Sequence, residues 1–115
     1  MDLEMTTWPG NVGCVDLRGR LDAAGADRIG TRFTAATVAQ ARPTVVNLSG
    51  VTFMGSMGIR LLISAAKGLN LKGARLVLFG AQPLVQELLA ESAVDQIIDV
   101  AADEEDALAW LAAPR

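Results

Sequence analysis

The stretch VTFMGSMGIRLLIS, residues 51–64, decides how this chain is read. Its first four residues are β-branched or large and apolar, as a strand prefers. From Ser56 the apolar residues Ile59, Leu62, Ile63, Ala66 and Leu69 recur at helical spacing, with Arg60, Ser64 and Lys67 off the stripe. That pattern predicts a helix over 56–71. Gly55 and Gly58 flank the junction and are read as allowing a tight turn and a close backbone approach. Ser56 has two readings. As an N-cap, its hydroxyl satisfies an orphan amide, worth about 1 kcal/mol. As an exposed hydroxyl where a strand hands over to a helix, it is a site for covalent modification. Met57 either tucks into the core beside Phe53 or stays exposed as an adaptable apolar contact for a partner. Phe53 and Met54 are read as core or rim.

Working outward, Thr44–Leu48 is a short apolar run with little alternation, which suits a strand covered on both faces. Lys72 and Gly73 close the helix with a C-terminal charge and a C′ glycine. Ala74–Phe79 reads as another buried strand, and Pro83 opens a helix carrying Leu84, Val85, Leu88 and Leu89. Ile97–Val100 reads as a short edge strand, and Asp103 caps a last helix through Trp110, with Glu104, Glu105 and Asp106 in its first turn. Towards the N-terminus, Leu3–Trp8 and Val12–Leu17 read as an antiparallel pair joined at Pro9-Gly10-Asn11. Gly19-Arg20-Leu21-Asp22 breaks the second strand, and Asp22 is a good N-cap. The helix after it shows Ala26, Ile29, Phe33 and Ala36 at helical spacing, weakened by Gly25 and Gly30 at about 1 kcal/mol each. The predicted order is ββαβαβαβα, an α/β fold with a mixed, mostly parallel sheet and an N-terminal antiparallel hairpin, in one domain over 1–115.

Composition narrows the function. The 115 residues are 51% hydrophobic, enough for one domain with its own core. No apolar run is long enough for a membrane span, and MDLEMTTW does not read as a signal peptide, which points to the cytoplasm. Histidine and tyrosine are absent, so histidine-dependent nucleophilic sites cannot be assembled. No Walker A or dinucleotide fingerprint occurs. The carboxylates at 103–106 crowd one helical turn, where the helix dipole accounts for them, and no metal or cofactor is expected. Cys14 is the one cysteine and reads as a buried small hydrophobe. Net charge is +4 over residues 1–81 and −7 over 82–115, giving −3 overall, without the basic face a nucleic acid needs. A conventional enzyme is not expected. A binding or switching module is.

Three local patterns in this order resemble the STAS domain, specifically the small stand-alone anti-sigma factor antagonists of bacterial partner switching. Gly19-Arg20-Leu21-Asp22 resembles the family's G-x-L-D, Val45-Val46-Asn47-Leu48 its third strand, and Val51–Gly58 the following F-M/I-D-S/T-S/T-G stretch. The resemblance covers about residues 3–112. It implies that the domain binds a kinase that doubles as an anti-sigma factor, of the ATPase-like histidine-kinase fold. That kinase phosphorylates a hydroxyl at the start of the second helix, which separates the pair, and a serine phosphatase restores binding. The phosphorylated position falls on Ser56, and the partner surface on Gly55, Met57, Gly58, Arg60 and Asp22. The family's usual aspartate falls on Gly55 and its second hydroxyl on Met57, while Gly58 is retained. Two alternatives stay open: a non-phosphorylated STAS scaffold subunit, for instance of a lipid-transport complex, and a small-ligand sensor.

Overall fold

The computed structural model describes residues 1–113; residues 114 and 115, the end of the expected domain, lie outside the described residues. The elements are β1 (Asp2–Trp8), β2 (Val12–Leu21), α1 (Ala23–Ala36), β3 (Thr44–Met54), α2 (Ser56–Leu71), β4 (Leu76–Phe79), α3 (Pro83–Glu91), β5 (Asp99–Ala101) and α4 (Glu104–Ala112), with short 3₁₀ turns at Val38–Gln40 and Val94–Gln96. The sheet order is β1-β2-β3-β4-β5. β1 pairs antiparallel with β2, and the other three pairings are parallel. This is the predicted ββαβαβαβα order and the predicted mixed sheet. Each crossover moves the chain one strand along with the same hand, so α1, α2 and α3 fall on one face.

Side-chain alternation splits the core in two. Val15, Leu17, Val46, Leu48, Leu76 and Leu78 point to the face covered by Ile29 and Phe33 of α1, Leu62 and Leu69 of α2, and Val85 and Leu89 of α3. Cys14, Val45, Val77 and Phe79 point to the other face, where Ala107 and Leu111 of α4 cover them. Cys14 is buried there, and burial, with Asp16 nearby, pushes its thiol up to about 11. It stays protonated at neutral pH and serves as packing.

β2 is longer than the sequence predicts: Val12–Leu17 is the expected span, yet the strand runs to Leu21. β3 joins the expected Thr44–Leu48 run to the strand-like residues 51–54 in one strand to Met54. Their pairing carries register shifts between Asp16 and Arg18 and between Gly19 and Arg20, and Gly19 holds a φ of +109°. A bulge of this kind interrupts alternation without ending the strand. The glycine that reads as a break is therefore a bend inside β2. The edge strand shifts in the other direction: Ile97 is half exposed and Ile98 enters the core before β5 begins at Asp99. Among the described residues no helix is long and apolar enough to cross a membrane.

Candidate functional site

The longer strands carry the site. Arg20 pairs with Phe53 and Leu21 with Met54, so β2 and β3 end together, and α1 and α2 both start from that edge. The Gly55 amide donates to the Leu21 carbonyl at 3.0 Å, tying the start of α2 to the end of β2. Gly25 and Gly58 seat the two helices. A Cβ on Gly25 would overlap the Arg20 carbonyl oxygen, and one on Gly58 would overlap the Leu21 carbonyl oxygen and side chain. Gly58 is thus required by a close backbone approach, as its sequence context predicts. Gly25 has the same requirement, which the sequence reading took only as a weak point in the helix. Gly30 has nothing within 4 Å of its Cβ position.

The N-cap of α2 is Gly55, not Ser56. Gly55 has extended backbone (φ −104°, ψ 179°), and its carbonyl accepts from the Ile59 amide at 3.0 Å. Ser56 is the first helical residue and is exposed, and no side chain caps the helix. The capping reading is corrected for a geometric reason: the N-cap is the last non-helical residue, and the β3–α2 link leaves only Gly55 outside the helix. Asp22 does cap α1. Its carboxylate accepts from the Gly25 amide at 2.9 Å, and Arg20 approaches it at 3.4 Å. The Gly25 amide, helped by Arg20, holds the Asp22 carboxyl below its ordinary value. The Arg20 guanidinium also lies over the Phe53 ring, 4.5 Å from its centre, so Phe53 forms a rim while Met54 is core.

Of its two readings, Met57 takes the exposed one, with 44% of its surface open. It lies at a groove between α1 and α2 lined by Ala23, Ala26 and Asp27 on one side and Met57, Arg60, Leu61 and Ser64 on the other. Gly55, Ser56, Met57, Gly58, Arg60 and Asp22 therefore gather at one end of the molecule, around the two helix starts. The α1 wall of the groove, above all Asp27, was missed. Its signal was faint: Asp27 sits beside the apolar stripe at Ala26 on a helix read only for its core face. Among the described residues no cluster of three or more carboxylate or thiol groups has the geometry to hold a metal ion. An uncapped helix start, an exposed hydroxyl and a largely apolar groove thus lie side by side at this end of the molecule.

The family model for the STAS domain matches residues 4–107. Among solved structures, an anti-sigma-factor antagonist (STAS) domain protein from Planctomyces limnophilus is 25% identical, with a TM-score of 0.83 over 98% of this chain and 100% of that one. An anti-sigma factor antagonist from Mycobacterium paratuberculosis is 21% identical, with a TM-score of 0.83 over 96% and 92%. The Bacillus cell fate determinant SpoIIAA in its phosphorylated form is 20% identical, with a TM-score of 0.67 over 95% and 98%.

Proposed function

We propose a function from one premise: this chain belongs to the STAS domain family. It acts as an anti-sigma factor antagonist-like regulator in partner switching. It binds a kinase that is also an anti-sigma factor, of the ATPase-like histidine-kinase fold, and is released when Ser56 is phosphorylated. A serine phosphatase resets it. The chain works in the cytoplasm, performs no chemistry of its own and uses no cofactor. Gly55, Met57 and Arg60 meet the partner directly, while Gly58, buried against Leu21, and Asp22 hold the two helix starts in place.

One observation carries this reading: Ser56 is exposed at the first position of a helix whose amides no side chain caps. A phosphate there adds about −1.5 to −2 charge beside the positive end of the helix dipole, so the domain tolerates it. A partner docked over the same spot must desolvate that dianion, which costs several kcal/mol if it is left poorly paired. Release without unfolding follows from the difference. The solved phosphorylated form of SpoIIAA supports a fold of this kind carrying phosphate.

The test is a titration of the unmodified protein, Ser56→Ala and Ser56→Glu against an ATPase-fold kinase purified from the same cell. Ser56→Glu weakens binding at least about tenfold, a difference of about 1.4 kcal/mol, and leaves Tm nearly unchanged. Ser56→Ala binds but accepts no phosphate. Equal binding by all three overturns the switch. The departures at Gly55 and Met57 fit a second reading, a non-phosphorylated STAS scaffold, as well as they fit the switch; mass spectrometry of native protein that finds Ser56 bare under every condition supports it instead.

A further inference from the structure

Arg60 stands one helical turn beyond Ser56 on the exposed side of α2. It lines one wall of the α1–α2 groove, and Asp27 lines the other. The rest of the lining is Ala23, Ala26, Met57 and Leu61, with Ser64 adding a hydroxyl. Among the described residues neither Arg60 nor Asp27 takes part in an ion pair or a side-chain hydrogen bond. Arg20 and Asp22, by contrast, are paired with each other, and Arg75 with Asp99. The groove thus presents an uncommitted cation within one turn of the hydroxyl that is the candidate switch.

We infer that Arg60 is a charge for which the partner and the Ser56 phosphate compete. This rests on the reading of Ser56 as the phospho-acceptor. In the unmodified protein Arg60 is offered to a carboxylate on a partner segment whose apolar residues lie along Ala26 and Leu61. On phosphorylation an anion appears four residues N-terminal to Arg60. That spacing brings the two side chains together, and the order, anion before cation, is the one a helix favours. The planar guanidinium can then take two phosphate oxygens at once. Phosphate and partner carboxylate cannot both hold the same fork. The switch therefore works twice: it adds a repelling dianion, and it withdraws an attracting cation. The same capture screens the phosphate within its own helix, so the folded domain is little strained.

The first half is measured without any partner. Phosphoserine is placed at position 56 by genetic incorporation, and its second ionisation is followed by ³¹P NMR in the otherwise unmodified protein, Arg60→Gln and Arg60→Lys. A cation beside the phosphate favours the dianion, so the midpoint lies lower with Arg60 than with Gln, by about 0.3 pH units or more. Arg60→Lys recovers part of the shift. Asp22 and Arg20 near Gly55 and Asp27 across the groove also act on the phosphate, but they are the same in all three proteins. Equal midpoints in the unmodified and Arg60→Gln proteins overturn the inference.

The second half uses the ATPase-fold kinase. Without phosphate, Arg60→Gln binds about three- to tenfold more weakly, and with phosphoserine at 56 the same substitution changes binding little. Equal losses in both states overturn the competition. Phosphate that leaves kinase binding unchanged, with the ³¹P shift intact, overturns the proposed function rather than the pairing.

Discussion

The first turns of α1 and α2 lie side by side and follow one plan with a single exception. Each has an extended N-cap residue, Asp22 or Gly55, and each has glycine three residues later, Gly25 or Gly58. Each glycine lets its helix approach a carbonyl at the end of β2, on the successive residues Arg20 and Leu21. The exception is the cap. Asp22 closes α1 with its own carboxylate, whereas Gly55 has no side chain and leaves α2 open. Two helix starts with the same seat thus end differently: one is closed by its own carboxylate, and the other has no side-chain cap.

The largest effect comes from breaking the shared seat. Gly58→Ala forces a methyl into the Leu21 carbonyl, and backbone cannot step aside as a flexible side chain can. A loss of about 1–3 kcal/mol is expected from such overpacking, read as a lower urea midpoint. Gly30→Ala is the control with the opposite sign. Its methyl meets open space, and a gain of about 0.4–1 kcal/mol is expected in the same experiment.

Breaking the difference gives smaller effects. Asp22→Ala opens α1 as α2 is already open and lowers Tm by a few degrees. The sign with pH is specific. The folded state holds the Asp22 carboxyl below its ordinary 3.8, so its contribution is present above that value and is lost as pH falls through the lower folded value. The Tm gap between wild type and Asp22→Ala should therefore narrow on acidification below pH 3.8. A gap constant across that range would mean that Asp22 acts by shape and not by charge.

The smallest change makes the two starts alike by closing α2. Gly55→Asp meets no steric bar, because the nearest atom to the added Cβ is Phe53 Cε2 at 3.4 Å. Aspartate caps better than glycine by only a few tenths of a kcal/mol, and the backbone of Asp22, 3.7 Å from the same Cβ, brings a like charge near. Stability should move by less than about 0.5 kcal/mol by urea denaturation. A larger gain would mean that the open cap is a strained feature.

Much of this was legible in the linear chain. Local signals set the elements: Asp22 and Asp103 as caps, Gly73 with positive φ after α2, Pro83 opening α3, and apolar stripes at helical spacing. Such signals act over one or two turns, so composition and order suffice to read them. The ββαβαβαβα order then leaves few ways to lay parallel strands with helices on one face. The same reading named Ser56, Gly58 and Arg60 as site residues.

Other features needed three dimensions. The bulge at Gly19 masks the continuation of β2, because alternation fails while pairing with β3 goes on. Gly25 and Gly58 look alike in sequence to Gly30, and only their distance to carbonyls on another strand separates them. The groove brings Asp27 opposite Arg60 across more than thirty residues of chain, a separation that periodicity cannot see. Ser56 became the first helical residue because the chain leaves β3 through a single residue outside the helix. The sequence by itself determined which elements form, since those rest on short-range propensity and hydrogen bonding, and its resemblance to the STAS family named Ser56 as the candidate switch. The tertiary structure alone decided that this hydroxyl does no capping, that Met57 is exposed and that Arg60 is unpaired, since those depend on how close distant segments come when the core is packed.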